Sequence, residues 1–224
     1  VSEGQRVADA DRGLLGRRHR LGGVEIPHGA MFPHRARARS PAVRSTVGPM
    51  AAPAPYPEHW ESDVVLADGS TAHVRPIRAD DRDLLQAFHG RQSAESIYFR
   101  YFTPHPTLSE ADLDRFTQID YRDRMAFVAL LGDDLVAVAR YDRWSGRDDA
   151  EVAFMVDDAH QGLGIATVLL EFLAEAGRQV GYRRFSAQVL PTNRKMLRVF
   201  RQAGFRTSSE WGDGVIEVVL DIEP

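Results

Sequence analysis

Apolar residues at Ile165, Val168, Leu169, Phe172, Leu173 and Ala176 recur at helical spacing, directly after the small-residue turn Gln161-Gly162-Leu163-Gly164-Ile165-Ala166. A helix is predicted to start on that turn. Before it, residues 125–131, 135–141 and 150–156 read as strands joined by short connections, Gly132-Asp133-Asp134 and the polar loop 143–149, so an antiparallel meander is expected. After it, Phe185, Ala187 and Val189 alternate in a strand over 183–190. Met196, Val199, Phe200 and Ala203 share one face of a helix over 193–203 that Gly204 caps, and strands at 205–207 and 215–220 flank Gly212-Asp213-Gly214. Upstream, Asp68-Gly69 between 63–66 and 71–75 predicts a hairpin. Asp80-Asp81 opens a helix with Leu84, Leu85 and Phe88 inward and Gly90 at its end, and Ser109-Glu110-Ala111-Asp112 opens another with Leu113 and Phe116 inward. The whole reads as α/β: a mixed, mostly antiparallel sheet of six to seven strands with helices on both faces.

Residues 1–55 lack either period and are rich in Arg, Gly, Ala and Pro, so a disordered tail is expected there and one folded domain over 56–224. The formal charge of -4 over 224 residues gives no reason to expect a nucleic acid partner. With no cysteine, disulfides, thiolate nucleophiles and Cys-based zinc sites are excluded, and the histidines have no metal-ligand spacing. No apolar run is long enough to cross a bilayer and no secretory signal is visible, which points to the cytoplasm and away from a membrane. Lys195 is the only lysine.

The turn at 161–166 has little side-chain bulk, so its backbone N–H groups can face outward at the positive end of the helix dipole, where phosphate binds. A plain glycine-rich loop would show the same residues. No Gly-Lys-Ser or Gly-Lys-Thr follows, which disfavours a nucleotide triphosphatase, and the longer dinucleotide fingerprint is absent. Glu151, in Ala-Glu-Val-Ala-Phe, is an acid within an otherwise apolar strand, where alternation puts it on one face with Ala153 and Met155. Such a residue is costly unless paired or employed.

Gln161, Gly164 and Ala166 match the turn motif of the GNAT family of acyl-CoA-dependent acetyltransferases, and the order of strand, glycine turn, helix, strand, Asn193 and Gly204-Phe205 resembles that family over about 64–220. The resemblance implies a GNAT-like sheet splayed at the strand pair that holds CoA. It implies acetyl-CoA as co-substrate and no metal. The pyrophosphate would rest on Gln161, Gly162, Leu163, Gly164, Ile165, Ala166 and Thr167, and the pantetheine would lie beside the strand end with Met155 and Val156 and be bonded by Asn193. Many relatives carry a tyrosine where this chain has Phe200, so the acid thought to protonate the leaving thiolate is missing.

Transfer to an amine needs a base, and Glu151 is the candidate; Asp149 lies at the loop edge, and Asp157 and Asp158 shape the turn entrance. The strings Pro57-Glu58-His59-Trp60-Glu61, Arg75-Pro76-Ile77, Ser93-Ala94-Glu95-Ser96-Ile97-Tyr98 and Leu190-Pro191-Thr192-Asn193-Arg194-Lys195-Met196-Leu197-Arg198-Val199-Phe200 resemble the GNAT domain of Pat-type bacterial protein lysine acetyltransferases. This implies a protein substrate, an acyl-CoA synthetase switched off by acetylation of an active-site lysine. A GNAT enzyme for a small amine or amino acid, and a CoA-binding sensor with no chemistry, remain as alternatives. Lys195 is expected near the cofactor's phosphates.

Overall fold

The computed structural model describes residues 55–143 and 149–223. The tail expected over 1–55 lies outside the described residues except for Pro55, as does most of the polar loop 143–149. Eight strands form one sheet: β1 (Ser62–Val65), β2 (Thr71–Pro76), β3 (Arg124–Leu131), β4 (Asp134–Arg143), β5 (Asp149–Val156), β6 (Arg184–Val189), β7 (Arg206–Gly212) and β8 (Val215–Asp221). Their order is β1-β2-β3-β4-β5-β6-β8-β7, and every neighbouring pair is antiparallel except β5 and β6. The count exceeds the six to seven expected. β7 is exposed at every position, so it has no apolar face to announce its length, and it is held by backbone pairing to β8 along Arg206–Gly212.

Among the described residues five α-helices cover the sheet: α1 (Arg82–Gly90), α2 (Ala94–Tyr101), α3 (Glu110–Thr117), α4 (Ile165–Gln179) and α5 (Arg194–Gln202). Strand β3 explains why they lie on both faces. Met125, Phe127 and Ala129 join one buried cluster with Leu169, Leu170 and Leu173 of α4 and Phe200 of α5. Ala126, Val128 and Leu130 join a second with Leu85 and Phe88 of α1, Ile97 of α2 and Leu113 of α3. A strand buried on both sides reads as a continuous apolar run rather than an alternating one, which is what 125–131 shows.

The first helices are set by local polar groups. Asp81, at the start of α1, takes a bidentate pair from Arg75 of β2, both bonds 2.7 Å, and a third from the Arg78 amide at 2.7 Å. Arg75 and Asp81 are both buried, so removing either partner would strand a charge in the core. Ser93 caps α2 by accepting from the Ser96 amide at 3.2 Å. Ser109 and Asp112 form a reciprocal capping box on α3. The aromatic segment 93–102 thereby holds the helix α2, with Ser93 and Phe102 as its caps. Among the described residues no helix is long and apolar enough to cross a membrane.

Candidate active site

The parallel pair β5 and β6 stays in register for three residues only, Asp149 with Arg184, Ala150 with Phe185 and Glu151 with Ser186. Beyond Glu151 the strands part. β5 remains on β4 to its end, where the Asp157 amide donates to the Val136 carbonyl at 2.8 Å, and β6 pairs with β8 along its whole length. A wedge therefore opens on one edge of β5. Since the Asp157 amide faces β4, strand alternation turns the backbone groups of Phe154 and Val156 toward the wedge and those of Met155 away from it. The Met155 side chain is also buried, in the cluster with α1 and α3. Of the two strand-end residues singled out in the sequence, only Val156 offers backbone to the wedge, and its carbonyl already accepts from Gln161 Nε2 at 3.3 Å.

At the end of β5, Asp157 and Asp158 hold the entrance to the turn. Asp157, 6% exposed, accepts from Arg91 Nε at 2.6 Å and from the Ala159 amide at 3.0 Å. Burial pushes its carboxyl up, and these hydrogen bonds outweigh it, leaving the group below the usual carboxylate range. Asp158 accepts from the Ser93 amide at 2.8 Å, the Ser96 hydroxyl and Gln161 Nε2 at 2.9 Å, and is likewise held low against its burial. The start of α2 is thus fastened to the turn through Asp158. Arg91, Ser93 and Ser96 lie more than sixty positions away in the chain.

In the turn itself, Gly162 and Gly164 sit at φ +89° and +85°, left-handed backbone that a side chain disfavours, and a Cβ on either would meet nothing within 4 Å. Helix α4 then begins with no side-chain cap. The Thr167 and Val168 amides both turn back to the Gly164 carbonyl, at 3.0 and 3.1 Å. Among the described residues, the amides of Gly162, Leu163, Gly164, Ile165 and Ala166 find no acceptor. Thr167, expected in the cradle, spends its amide inside the helix, and Ile165, 2% exposed, has only its amide to offer. Open space above two glycines, a row of unpartnered amides and the positive end of a fifteen-residue helix fit an anionic diphosphate.

Asn193 is the cap of α5, with Oδ1 accepting from the Met196 amide at 3.1 Å. That oxygen is occupied, while Nδ2 has no acceptor among the described residues. Lys195, in the first turn of the same helix, donates to Gln161 Oε1 at 2.7 Å. Phe200 is 1% exposed with its ring 5.8 Å from that of Phe154, so the helix brings no hydroxyl here.

Glu151 is the last β5 residue paired to β6 before the wedge opens. Its cross-strand partners are Ser186 and Asp142. Among the described residues it makes no hydrogen bond or ion pair. Burial pushes its carboxyl above the ordinary 4.5, against the pull of Arg100 and with a further push from Asp142. Asp142 is itself held by Arg124 Nε at 2.9 Å, and Asp149 by Arg184 at 3.1 and 3.2 Å. Of these three acids Glu151 alone makes no ion pair among the described residues, although Arg100 and Arg115 act on it from a distance. No group of three or more His, Cys, Asp or Glu among the described residues is placed to hold a metal ion.

A family model described as the acetyltransferase (GNAT) family matches residues 91–205, a span that takes in Glu151, the glycine turn and Asn193. Acetyltransferase PA5475 of Pseudomonas aeruginosa is 33% identical over 152 residues, 66% of this chain and 81% of that protein. Acetyltransferase Pat of Mycolicibacterium smegmatis is 30% identical over 165 residues, which cover 72% of this chain but 49% of that relative, so the likeness spans about half of it. Among solved structures, the GNAT domain of S. lividans PAT is 47% identical with a TM-score of 0.71, over 75% of this chain and 99% of that one. With the wedge, the glycine cradle and the matched span in agreement, the chain belongs to the GNAT family of acetyltransferases, enzymes that use acetyl-CoA.

Proposed function

We propose that this GNAT enzyme is a protein lysine N-acetyltransferase with Glu151 as general base, and that its protein substrates are acyl-CoA synthetases silenced by acetylation of an active-site lysine. The observation that carries the reading is the Glu151 carboxylate, half-buried, without an ion pair among the described residues and set where β5 leaves β6. The likeness to the GNAT domain of S. lividans PAT supports a protein acceptor. That substrate class brings a cytoplasmic location with it.

The amides of Gly162, Leu163, Gly164, Ile165 and Ala166 bind the pyrophosphate, with the α4 dipole behind them. Gln161 is fixed by Asp158 and Lys195 and keeps the cradle's edge in place. Phe154 and Val156 offer strand-edge backbone to the pantetheine, and Asn193 Nδ2 offers a donor. When bound, acetyl-CoA supplies the thioester carbonyl that the amine attacks and a thiolate that leaves readily. The acceptor lysine, with a pKa near 10.4, arrives as an ammonium, so Glu151 must take a proton, directly or through water, before the N–C bond can form and the C–S bond break. A carboxyl raised toward neutrality is the better base for that task. Phe200 has no proton to give, which leaves water or the product amine to protonate the departing sulfur.

The test is incubation of labelled acetyl-CoA with a panel of acyl-CoA synthetases, wild type against Glu151→Gln. Label on a synthetase lysine that the variant fails to install is the expected result. Undiminished transfer by the variant removes the base assignment. Turnover of free amines at efficiency equal to a synthetase transfers the reading to a small-amine enzyme, and acetyl-CoA binding without transfer to any amine makes the chain a sensor.

A further inference from the structure

We infer that the cleft between β4, β5 and helices α1–α3 is a carboxylate pocket for the acyl acceptor, built on Arg140 and Tyr101, so that the preferred acceptor carries a carboxylate close to its amine. The inference rests on the acetyltransferase reading of Glu151 and names the acceptor's chemistry.

Arg140 interrupts an otherwise apolar strand, Leu135-Val136-Ala137-Val138-Ala139, and is 7% exposed. One guanidinium nitrogen donates to the Phe116 carbonyl at 2.8 Å, and the group lies 4.5 Å from the centre of the Phe116 ring. No carboxylate among the described residues pairs with it. Asp142, the acid that acts on it most, is already bonded to Arg124. Burial lowers Arg140 to about 9, so it remains a cation at neutral pH. A buried charge with no counterion is costly, and an arriving anion removes that cost.

A second donor converges on it. The Tyr101 hydroxyl has no partner among the described residues, and burial raises its pKa, keeping it protonated and able to donate. Arg100 stands 5.0 Å from the Tyr101 ring centre and adds positive charge. His89 is occupied by the His105 carbonyl at 2.7 Å, and its burial favours the neutral form. These four polar side chains line one cleft of about 30 Å³, the rest of whose wall is apolar. A planar guanidinium fork beside a phenol hydroxyl suits a carboxylate.

The pocket lies beside the base. Arg140 is opposite Ala153, and Asp142 is opposite Glu151, so Arg140 and Glu151 share a face one strand repeat apart, roughly 7 Å. On the reading above the donor fills the β5–β6 wedge, which leaves the helix side to the acceptor.

The experiment uses lysine peptides in which a single glutamate, or a glutamine in its place, is moved through each position on either side of the lysine. Wild type should favour the best glutamate peptide by about tenfold in kcat/KM, a partly solvated version of the loss seen when a buried charge is left alone. Arg140→Met should erase the preference, read as the ratio of glutamate to glutamine peptide within that variant, whatever the change in its overall rate. Tyr101→Phe, which removes one oxygen and keeps the fold, should reduce it about threefold. Equal rates for glutamate and glutamine at every position, or a preference both variants retain, overturns the inference. A preference for malonyl-CoA over acetyl-CoA that Arg140→Met abolishes assigns the pocket to the acyl group and overturns it too. Comparison of long peptides with free lysyl-glutamate separates a protein side chain from a small acid as the source of the carboxylate. Calorimetric binding of the same peptide pairs needs no turnover, so failure of the pocket and failure of the acetyltransferase reading are told apart.

Discussion

The donor and acceptor sides of this site are made of different material. Below the wedge, the cradle is main chain: five amides, two glycines in left-handed backbone and the end of a helix. On the α1–α3 side the chemistry lies in side chains, Glu151, Arg140 and Tyr101, two of them charges set in β4 and β5. A site of backbone depends on conformation and tolerates change in its neighbours' side chains. A site of buried side chains depends on residue identity at a few positions and on the packing that dries them.

Glu151→Gln is the sharpest test of that contrast. It keeps shape and removes the base, and we expect kcat to fall about 10²- to 10³-fold with the Kd for acetyl-CoA unchanged. A rise in that Kd comparable to the loss in kcat would merge the two sides into one. Gly164→Val makes the opposite cut. Its Cβ meets no protein atom, so the damage is the left-handed backbone, worth about 1–2 kcal/mol, and the branch that now stands over the cradle. Acetyl-CoA binding measured by titration should weaken about tenfold, with the acceptor KM unmoved.

Glu151 also ties activity to stability. Its active form is the carboxylate and its folded pKa lies above the ordinary 4.5, so kcat/KM should rise with pH through that raised value and the limb should vanish in the glutamine variant. For stability the sign is the reverse. A carboxyl whose folded pKa exceeds its unfolded one contributes stability below the unfolded value and loses it as pH rises through the folded value. Above that window Glu151→Gln should be the more stable protein by about 1 kcal/mol, a few degrees in Tm by calorimetry, although it is the inactive one. Equal melting of the two proteins at all pH values would mean that Glu151 is not desolvated.

The backbone side was the more legible from sequence, because glycine spacing before a helical period is local information. The alternation of 150–156 likewise exposed Glu151 as an acid out of place. Arg140 breaks an apolar strand in the same way, but in a chain whose cations are nearly all arginine one more carries no signal. The links from Asp157 and Asp158 to Arg91, Ser93 and Ser96 cross more than sixty residues, and no periodicity reports such contacts. Thr167 and Asn193 show a different limit. A motif assigns them to the ligand, whereas hydrogen bonding commits the amide of one and the side-chain oxygen of the other to their own helices. β7 has no apolar face at all, so its extension from the expected 205–207 to Arg206–Gly212 is defined only by its pairing with β8.

The smallest expected effect concerns Lys195, a side chain at the edge of the backbone-built half. Its amine is exposed and bonded to Gln161, so Lys195→Met should raise the KM for acetyl-CoA only about two- to threefold, and less at high salt. The same position bears on self-modification. Gln161 bonds the Val156 carbonyl, and from Val156 back to Glu151 the strand runs roughly 17 Å, so the amine of Lys195 sits at the far end of β5 from the base. As the sole lysine, Lys195 should therefore stay unmodified when the protein is incubated with acetyl-CoA alone and its peptides are mapped by mass spectrometry. Heavy acetylation there, lost in Glu151→Gln, would show that the amine reaches the base and that the two sides are not separated along β5.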